Sequence, residues 1–221
     1  LNMADGCLLV VDAAEGVLSQ TRFVLNLALG IGLKPIVVIN KVDRKDQRVD
    51  KVVQEVGDLF LELARNHEQL DFSLLYAIGR LGIAGHKLSP SLADNGSLDI
   101  TDGTDLSPLF NTIINHVPAP SDSSEGGFQM QVTSLDRDDY KGKYLIGRVR
   151  RGVIKKGETL VIVHHDKVVG QGRCEYLFTY QGLHRIEISE SGVGDIIAII
   201  GLPAASIGDT LANPAQPEAL P

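Results

Sequence analysis

Several features that would place this 221-residue chain in a special class are absent. Cysteine occurs only at positions 7 and 174, which excludes a disulfide-stapled fold and favours reduced thiols in a cytoplasmic protein. No apolar run is long enough to span a bilayer, so no membrane role is predicted. The net charge of −7 argues against a protein that coats nucleic acid generally. The composition, 43% hydrophobic and 22% charged, is typical of a globular protein, which we expect to be a monomer.

The first half of the sequence alternates strand patterns with helical patterns. Continuous apolar runs at 7–11 and 36–39 predict strands buried on both faces, and a third strand is predicted at 72–77. Residues 82–105 are rich in Gly, Ser and Asp and predict a loop. The helical stripes comprise Phe23, Val24, Leu27 and Ala28; Val52, Val56, Leu59, Phe60 and Leu63; and Leu106, Leu109, Phe110, Ile113 and Ile114. This order predicts an α/β domain over 1–120, with helices on the faces of a parallel sheet.

The pattern changes after Pro120. A polar linker is predicted at 121–127, and short β-branched runs separated by turns follow it. Strands of this length and spacing predict a small closed β-barrel over 128–214, which leaves a tail at 215–221.

The tetrapeptide Asn40-Lys41-Val42-Asp43 directly follows the buried run 36–39. It therefore lies at the carboxyl end of a parallel strand, where open α/β sheets bind ligands. Guanine offers N1–H and N2–H₂ as paired donors, whereas adenine offers an acceptor at N1. An ionised carboxylate only accepts, so Asp43 can select guanine. Lys41 can lay its methylene stem along the base while its ammonium stays in water, and Asn40 can tie neighbouring loops together.

Longer stretches of the sequence resemble a known family. They lie at 11–16, 20–22, 40–43, 68–72, 82–85 and 117–120. In combination they resemble the translational GTPases such as elongation factor G, and above all the BipA/TypA subfamily. Turns at 147–149, 152–157, 194–196 and 207–210 resemble the β-barrel domain of the same family.

The resemblance implies the C-terminal part of a P-loop-type GTPase domain, followed by a translation-factor β-barrel. It implies GTP and GDP as ligands, and Mg²⁺ in an intact protein whose metal ligands lie outside this chain. It also implies the ribosome as partner, through ribosomal RNA and ribosomal proteins. The intact protein is expected to hydrolyse GTP to GDP on the ribosome.

By the same resemblance, the loop Ile78-Gly79-Arg80 is expected to back the guanine base. The family usually has a Ser-Ala pair at Ile78 and Gly79 or immediately beside them, so a serine hydroxyl that helps to hold the loop is lost. We expect the Gly79 N–H to donate to guanine O6, because that contact needs no side chain.

A phosphate-binding loop is not found in the sequence. Such a loop needs glycines followed by Lys and then by Ser or Thr, whose hydroxyl binds Mg²⁺. The only Gly-Lys pair, Gly142-Lys143, is followed by Tyr144. The family places its phosphate loop and first switch before the point that corresponds to Leu1. We therefore expect a piece of a longer protein that retains base recognition and hydrolyses no GTP by itself, with no catalytic residue of its own.

Two other groups of side chains are candidates for function. The basic concentration consists of Arg148, Arg150, Arg151, Lys155 and Lys156. It is either a solvated hairpin or a contact for ribosomal RNA, whose phosphates would make binding salt-dependent. The histidines show no ligand spacing apart from the adjacent His164 and His165, which strand alternation would point to opposite faces. No metal site is predicted.

Three functions are compatible with the sequence. The first is a translational GTPase fragment of the BipA/TypA type. The second is a non-enzymatic module that binds ribosomes or RNA and uses no nucleotide. The third is a metabolic enzyme that uses an adenine nucleotide, which Asp43 disfavours because a carboxylate is the wrong partner for adenine N1.

Overall fold

The computed structural model describes residues 1–90, 96–119, 125–165 and 167–220. The chain divides into two compact units at Ala119. The domain boundaries at 120, 127 and 214 stay a prediction, since residues 121–124 of the expected linker and Pro221 of the expected tail lie outside the described residues. No helix in the described ranges is long and apolar enough to cross a membrane.

The first unit alternates strands and helices. Its elements are β1 (Gly6–Asp12), α1 (Ser19–Gly30), β2 (Lys34–Asn40), α2 (Val49–Leu63), a 3₁₀ turn (His67–Leu70), β3 (Ser73–Ile78), a second 3₁₀ turn (Gly79–Leu81), β4 (Ile83–Gly85), β5 (Leu88–Pro90), β6 (Leu98–Ile100) and α3 (Ser107–His116). The predicted strand and helix types before residue 82 and at 107–116 are thereby confirmed.

The sheet of the first unit has the order β1-β2-β3-β4. The first three strands are parallel, as predicted, and the short β4 is antiparallel to β3. The prediction of a loop over 82–105 is wrong, because β4 extends the sheet and β5 pairs with β6 in a separate ribbon. Short strands framed by Gly, Ser and Asp carry too few apolar residues to show a period of two.

Helices α1 and α2 cover one face of this sheet. The α2 stripe is confirmed, because Val52, Val56, Leu59 and Phe60 are all buried. The α1 stripe is correct only for Ala28, since the helix buries Leu25, Ala28 and Leu29 and exposes Phe23, Val24 and Leu27. Apolar residues surround most of α1, so their spacing alone does not choose the buried side.

The neighbouring strands β1 and β2 differ in burial. Residues 36–39 of β2 are buried on both faces, as predicted for a strand flanked by neighbours. On β1 only Leu9 and Val11 are buried, while Leu8 and Val10 are 42% and 56% exposed. The prediction of two-sided burial is therefore wrong for β1. On the face of the sheet opposite α1 and α2, α3 packs over β2 and β4, with Leu106 and Leu109 against the cluster of Val38, Ala77 and Ala84. Leu8 and Val10 of β1 stay exposed.

The second unit consists of strands. They are β7 (Gln129–Gln131), β8 (Ser134–Asp138), β9 (Gly142–Arg151), β10 (Ile154–Lys155), β11 (Thr159–His164), β12 (Lys167–Arg173), β13 (Tyr176–Gln181), β14 (His184–Glu187), β15 (Glu190–Ser191), β16 (Ile196–Ile200) and β17 (Thr210–Ala212). Nine of them form an antiparallel sheet in the order β12-β11-β17-β7-β9-β16-β13-β14, with β8 also paired to β9. β10 pairs with β15.

One hydrophobic core serves this unit. Side chains from strands far apart in the sheet meet in it, among them Met130 of β7, Leu160 of β11 and Ile197 of β16. Such a core requires the sheet to curl around it, as in the β-barrels that pack one set of alternate side chains inward. The predicted β-rich second half is confirmed at the level of fold class.

Candidate functional site

The carboxyl ends of β1, β2 and β3 lie side by side. Asp12 on β1 is in register with Asn40 on β2, and Asn40 is in register with Ala77 on β3. In a parallel sheet all strand ends point to one edge, so residues that follow them in the chain meet there. The tetrapeptide that begins at Asn40 and the loop after Ile78 are brought together in this way.

Asn40 joins the two loops through its side-chain amide. Its Oδ1 accepts hydrogen bonds from the N–H of Lys41 at 2.8 Å and from the N–H of Gly79 at 2.9 Å. The predicted tying role of Asn40 is therefore seen in the structure. The Gly79 N–H is already engaged, so the expectation that it donates to guanine O6 does not hold for this arrangement.

Gly79 also leaves little room beside Asn40. A Cβ added at Gly79 would lie 3.2 Å from Asn40 Nδ2 and 3.3 Å from Oδ1, which is tighter than ordinary packing. Absence of a side chain lets the loop approach the amide closely. The loop is thus held to Asn40 through the main-chain N–H of Gly79.

Lys41 is held by a carboxylate on the neighbouring strand. Its backbone has a φ of 63°, which is unusual for a residue other than glycine, and its ammonium lies 2.8 Å from Asp12 Oδ2. The N–H groups of Ala14 and Glu15 donate to Asp12 Oδ1 at 2.8 and 3.2 Å. Burial opposes ionisation of Asp12, but Lys41 and the two N–H groups outweigh it and lower the pKa to about 2.

The segment after Asp12 is clamped from α2. Arg48 donates to the carbonyls of Ala14 and Glu15, both at 2.8 Å, and pairs with Glu55 at 2.5 Å. The Glu55 carboxylate also accepts a longer bond of 3.4 Å from the Val17 N–H. Asp12 therefore belongs to a braced turn, and Lys41 is anchored to a rigid support.

Asp43 faces a cavity of about 490 Å³ at this edge of the sheet. Small-molecule sites typically occupy about 300–1,000 Å³. The carboxylate is 17% exposed and forms an ion pair of 2.6 Å with the guanidinium of Arg80, which is 75% exposed. The lining residues are Asn40, Lys41, Asp43, Arg44, Lys45, Gly79 and Arg80.

The seven residues predicted to bind guanine fall into two groups. Asn40, Lys41, Asp43, Gly79 and Arg80 line the cavity. The side chains of Val42 and Ile78 are buried in the core of the first unit, so only their main chain can face a ligand. Their contribution to the site is to hold it in place.

Three residues of the site were missed in the sequence. Arg44 and Lys45 line the cavity, and Asp12 anchors Lys41 from the neighbouring strand. Arg44 is itself paired with Asp46 at 2.7 Å and lies 3.4 Å from Asp12. Polar residues at and after the end of each predicted strand were the signal that could have identified these residues. Parallel strands end at one edge of the sheet, so such residues meet there.

The chemistry of the lining suits a purine nucleotide. Asp43 supplies an acceptor at the wall, and Lys41 supplies an apolar stem that is anchored at its charged end. Lys45 and the other cations favour a ligand that carries negative charge. An ionised carboxylate at Asp43 only accepts, so it offers adenine N1 no donor.

The five cations of the basic concentration do not form one exposed patch. Arg148, on β9, is only 3% exposed, so the expected contact of this residue with RNA is wrong for this structure. Arg151 pairs with Glu218 and Lys156 with Glu187, each at 2.6 Å. Lys155 lies 3.6 Å from Glu190 and is 62% exposed. Arg150, on the same strand as Arg148, is half-buried.

The adjacent histidines lie together rather than on opposite faces. Their ring centroids are 4.3 Å apart, and His165 has a φ of 45° that turns the chain back. The alternation expected of a strand ends at His164, the last residue of β11. His164 Nδ1 lies 2.6 Å from Asp209. Across the described ranges, no three His, Cys, Asp or Glu side chains are placed to hold a metal ion.

Comparison with known proteins identifies two sequence families. Residues 1–119 match the elongation factor Tu GTP binding domain, and residues 142–212 match elongation factor Tu domain 2. Curated relatives named "Large ribosomal subunit assembly factor BipA" are 42% identical in Synechocystis sp., 43% in Salmonella typhimurium and 42% in Bacillus subtilis. Each match covers the whole chain, and the chain spans 34–35% of the relatives' length.

Solved structures of low sequence identity share the fold. Translation elongation factor SelB from Methanococcus maripaludis in its apo form matches with a TM-score of 0.70 at 16% identity. The match covers 96% of this chain and 40% of SelB. The same factor with the GTP analogue GppNHp matches at 0.67 and 17% identity, over 97% of this chain and 42% of SelB.

Proposed function

The chain belongs to the translational GTPases that carry the elongation factor Tu GTP binding domain, and from this premise we propose that it binds GTP and GDP by reading the guanine base. Asp43 accepts the N1–H and N2–H₂ donors of guanine. Lys41 supports the face of the base with its stem, and Asn40 holds the loop of Gly79 and Arg80 against the tetrapeptide.

One observation carries this proposal. The Asp43 carboxylate stands on the wall of a cavity whose other walls are the anchored Lys41 and the tied Gly79 loop. A site that is held by neighbouring elements loses little conformational freedom when it binds a ligand. The arrangement therefore supports recognition of the base by preformed loops.

We propose that the protein acts with the ribosome. The relatives that match the whole chain are named as assembly factors of the large ribosomal subunit, which supports ribosomal RNA and proteins as partners. In the whole protein, GTP is hydrolysed to GDP with Mg²⁺. The residues of the cavity select the nucleotide for that reaction. Binding of the phosphates and hydrolysis require groups other than the residues of the cavity.

The test is a nucleotide titration of the 221-residue chain, followed by ¹H–¹⁵N NMR. Millimolar GDP is expected to shift the amide signals of residues 40–45 and 79–80, and ADP is expected to leave them unchanged. Asp43→Asn should weaken GDP binding by about tenfold or more, because an amide offers one acceptor where the carboxylate offers two.

A matched control is Asp46→Asn, which removes the same charge from the same loop outside the cavity lining. It should retain most of the GDP response. Equal responses to GDP and ADP in the unaltered chain would refute guanine recognition. The absence of any nucleotide response would favour the alternative of a ribosome-binding or RNA-binding module that uses no nucleotide.

A further inference from the structure

The carboxylate that reads guanine in the proposed function is already occupied by a side chain of the protein. The terminal Nη2 of Arg80 forms an ion pair with Asp43 Oδ2 at 2.6 Å. Arg80 comes from the loop after β3, whereas Asp43 comes from the loop after β2. The two partners thus reach across the cavity that both of them line.

Arginine and guanine present the same hydrogen-bonding group. The edge of guanine that Asp43 reads consists of N1–H, C2 and the N2 amino group, which together form a planar guanidine unit. The arginine side chain ends in a planar guanidinium, whose N–H donors match a carboxylate in the same way. Arg80 therefore uses the acceptor that the base needs, and both cannot engage it fully at one time.

The other anchored cations of the cavity have acidic partners of their own. Lys41 pairs with Asp12, and Arg44 pairs with Asp46. Neither of these acceptors has a part in reading the base. Arg80 differs because its acidic partner is Asp43 itself.

Arg80 is able to leave without disturbing the site. The main chain of its loop is held by the bond from the Gly79 N–H to Asn40 Oδ1, while the Arg80 side chain is 75% exposed. Ion pairs with a largely exposed partner contribute little free energy and are readily exchanged. Rotation of one side chain is then sufficient to uncover the carboxylate.

We propose that Arg80 is an internal competitor of guanine, which closes the base site by docking on Asp43 and must be displaced when the nucleotide binds. This inference rests on the proposed function of Asp43. The closed form lowers the apparent affinity by the fraction of molecules in which Asp43 is covered. It also keeps a partly buried carboxylate paired in the empty site.

The experiment compares GDP binding by the unaltered chain, Arg80→Leu and the control Lys45→Leu, with the same NMR titration. Both substitutions remove one positive charge from the cavity lining, which disfavours an anionic ligand. If Arg80 competes with guanine, Arg80→Leu should instead raise the affinity for GDP, by about twofold to fivefold. This is the range expected for the loss of an ion pair with one exposed partner. Lys45→Leu should bind GDP equally or more weakly.

Salt supplies a second measurement on the same proteins. Raising the ionic strength from about 0.05 to 0.5 M screens an exposed ion pair, so the advantage of Arg80→Leu should shrink. In addition, the side-chain NMR signals of Arg80 should shift in Asp43→Asn without any nucleotide. This readout reports the contact independently of GDP binding.

The outcomes separate the inference from the proposed function. If the unaltered chain binds GDP in preference to ADP and Arg80→Leu binds GDP equally or more weakly, competition by Arg80 is refuted and guanine recognition stands. If neither protein prefers GDP, the proposed function fails and the inference fails with it. A preserved ¹H–¹⁵N spectrum in Arg80→Leu shows that the substitution leaves the fold intact.

Discussion

Asp12 positions Lys41 although the two residues are far apart in the sequence. Its carboxylate accepts from the Lys41 ammonium at 2.8 Å, and Arg48 braces the turn that follows it. A lysine stem that must lie along a base needs a fixed end, because a free lysine loses substantial side-chain entropy when it is ordered. Asp12 provides that fixed end before any ligand arrives.

The lowered pKa of Asp12 makes part of the stability depend on pH. An unperturbed Asp has a pKa of about 3.9, and the value in the folded protein is about 2. The native state therefore favours the ionised form. The resulting stabilisation is present above about pH 4 and is lost as the pH falls through about 2.

Asp12→Asn is expected to lower the free energy of unfolding by ~1–2 kcal/mol at neutral pH, since the ion pair and its charge-assisted bonds are lost. The stability of the variant should also change less than that of the unaltered chain between pH 4 and pH 2. Urea unfolding at a series of pH values measures both effects. Asp71→Asn, at an exposed position, is the control. A variant that keeps the original pH dependence would show that Asp12 is not its source.

At the scale of elements, β1 is an edge strand of the first unit's sheet and has an exposed apolar face. It pairs with β2 along one edge, and no described strand pairs with its other edge. Leu8 and Val10 are exposed on one face, and Phe23 and Leu27 of α1 are exposed as well. Open strand edges beside apolar side chains invite pairing with other chains.

We therefore expect the chain to be monomeric when dilute and to associate through β1 as its concentration rises. Val10→Lys should reduce this association, because a charged side chain on an edge strand opposes edge-to-edge pairing. Sedimentation velocity over a range of concentrations measures the effect. Val153→Lys replaces a similarly exposed valine in a turn of the second unit and should not change association. Equal association by both variants would exclude β1 as the contact.

At the scale of the whole molecule, the two units contribute different chemistry. The first has the cavity with Asp43, and the second has a separate hydrophobic core with cations on its surface. Lys155 is the most exposed cation of the basic concentration, and its ion pair with Glu190 is long, at 3.6 Å. If the protein acts with the ribosome, this lysine is the best-placed member for contact with RNA phosphate.

Lys155→Glu is expected to weaken co-sedimentation with large ribosomal subunits, and to lower the dependence of log K on log salt by about one. The control is Lys167→Glu, an exposed lysine on β12 of the same unit. If the two variants bind equally well at low and at higher salt, ribosomal RNA is not contacted at Lys155. The basic concentration would then be a solvated hairpin.

A structural feature is predictable from the sequence when its signal lies in residues that are close together in the chain. The run at 36–39 and the α2 stripe were correctly predicted, because a run of buried residues or a period of 3.6 is written in consecutive residues. The exposed half of β1 and the true buried side of α1 were missed. Burial of β1 and α1 depends on which other elements pack against them. The local sequence pattern does not identify those elements.

The same distinction applies to the site. The sequence by itself determined the family, the carboxylate at Asp43 and its place after a buried strand, since these follow from residue chemistry and local order. Only the tertiary structure decided that Asp12 holds Lys41, that Arg80 covers Asp43 and that Arg148 is buried. Each of these features depends on residues that are far apart in the chain. The sequence gives the charge of a side chain, but the fold determines which side chains lie next to it.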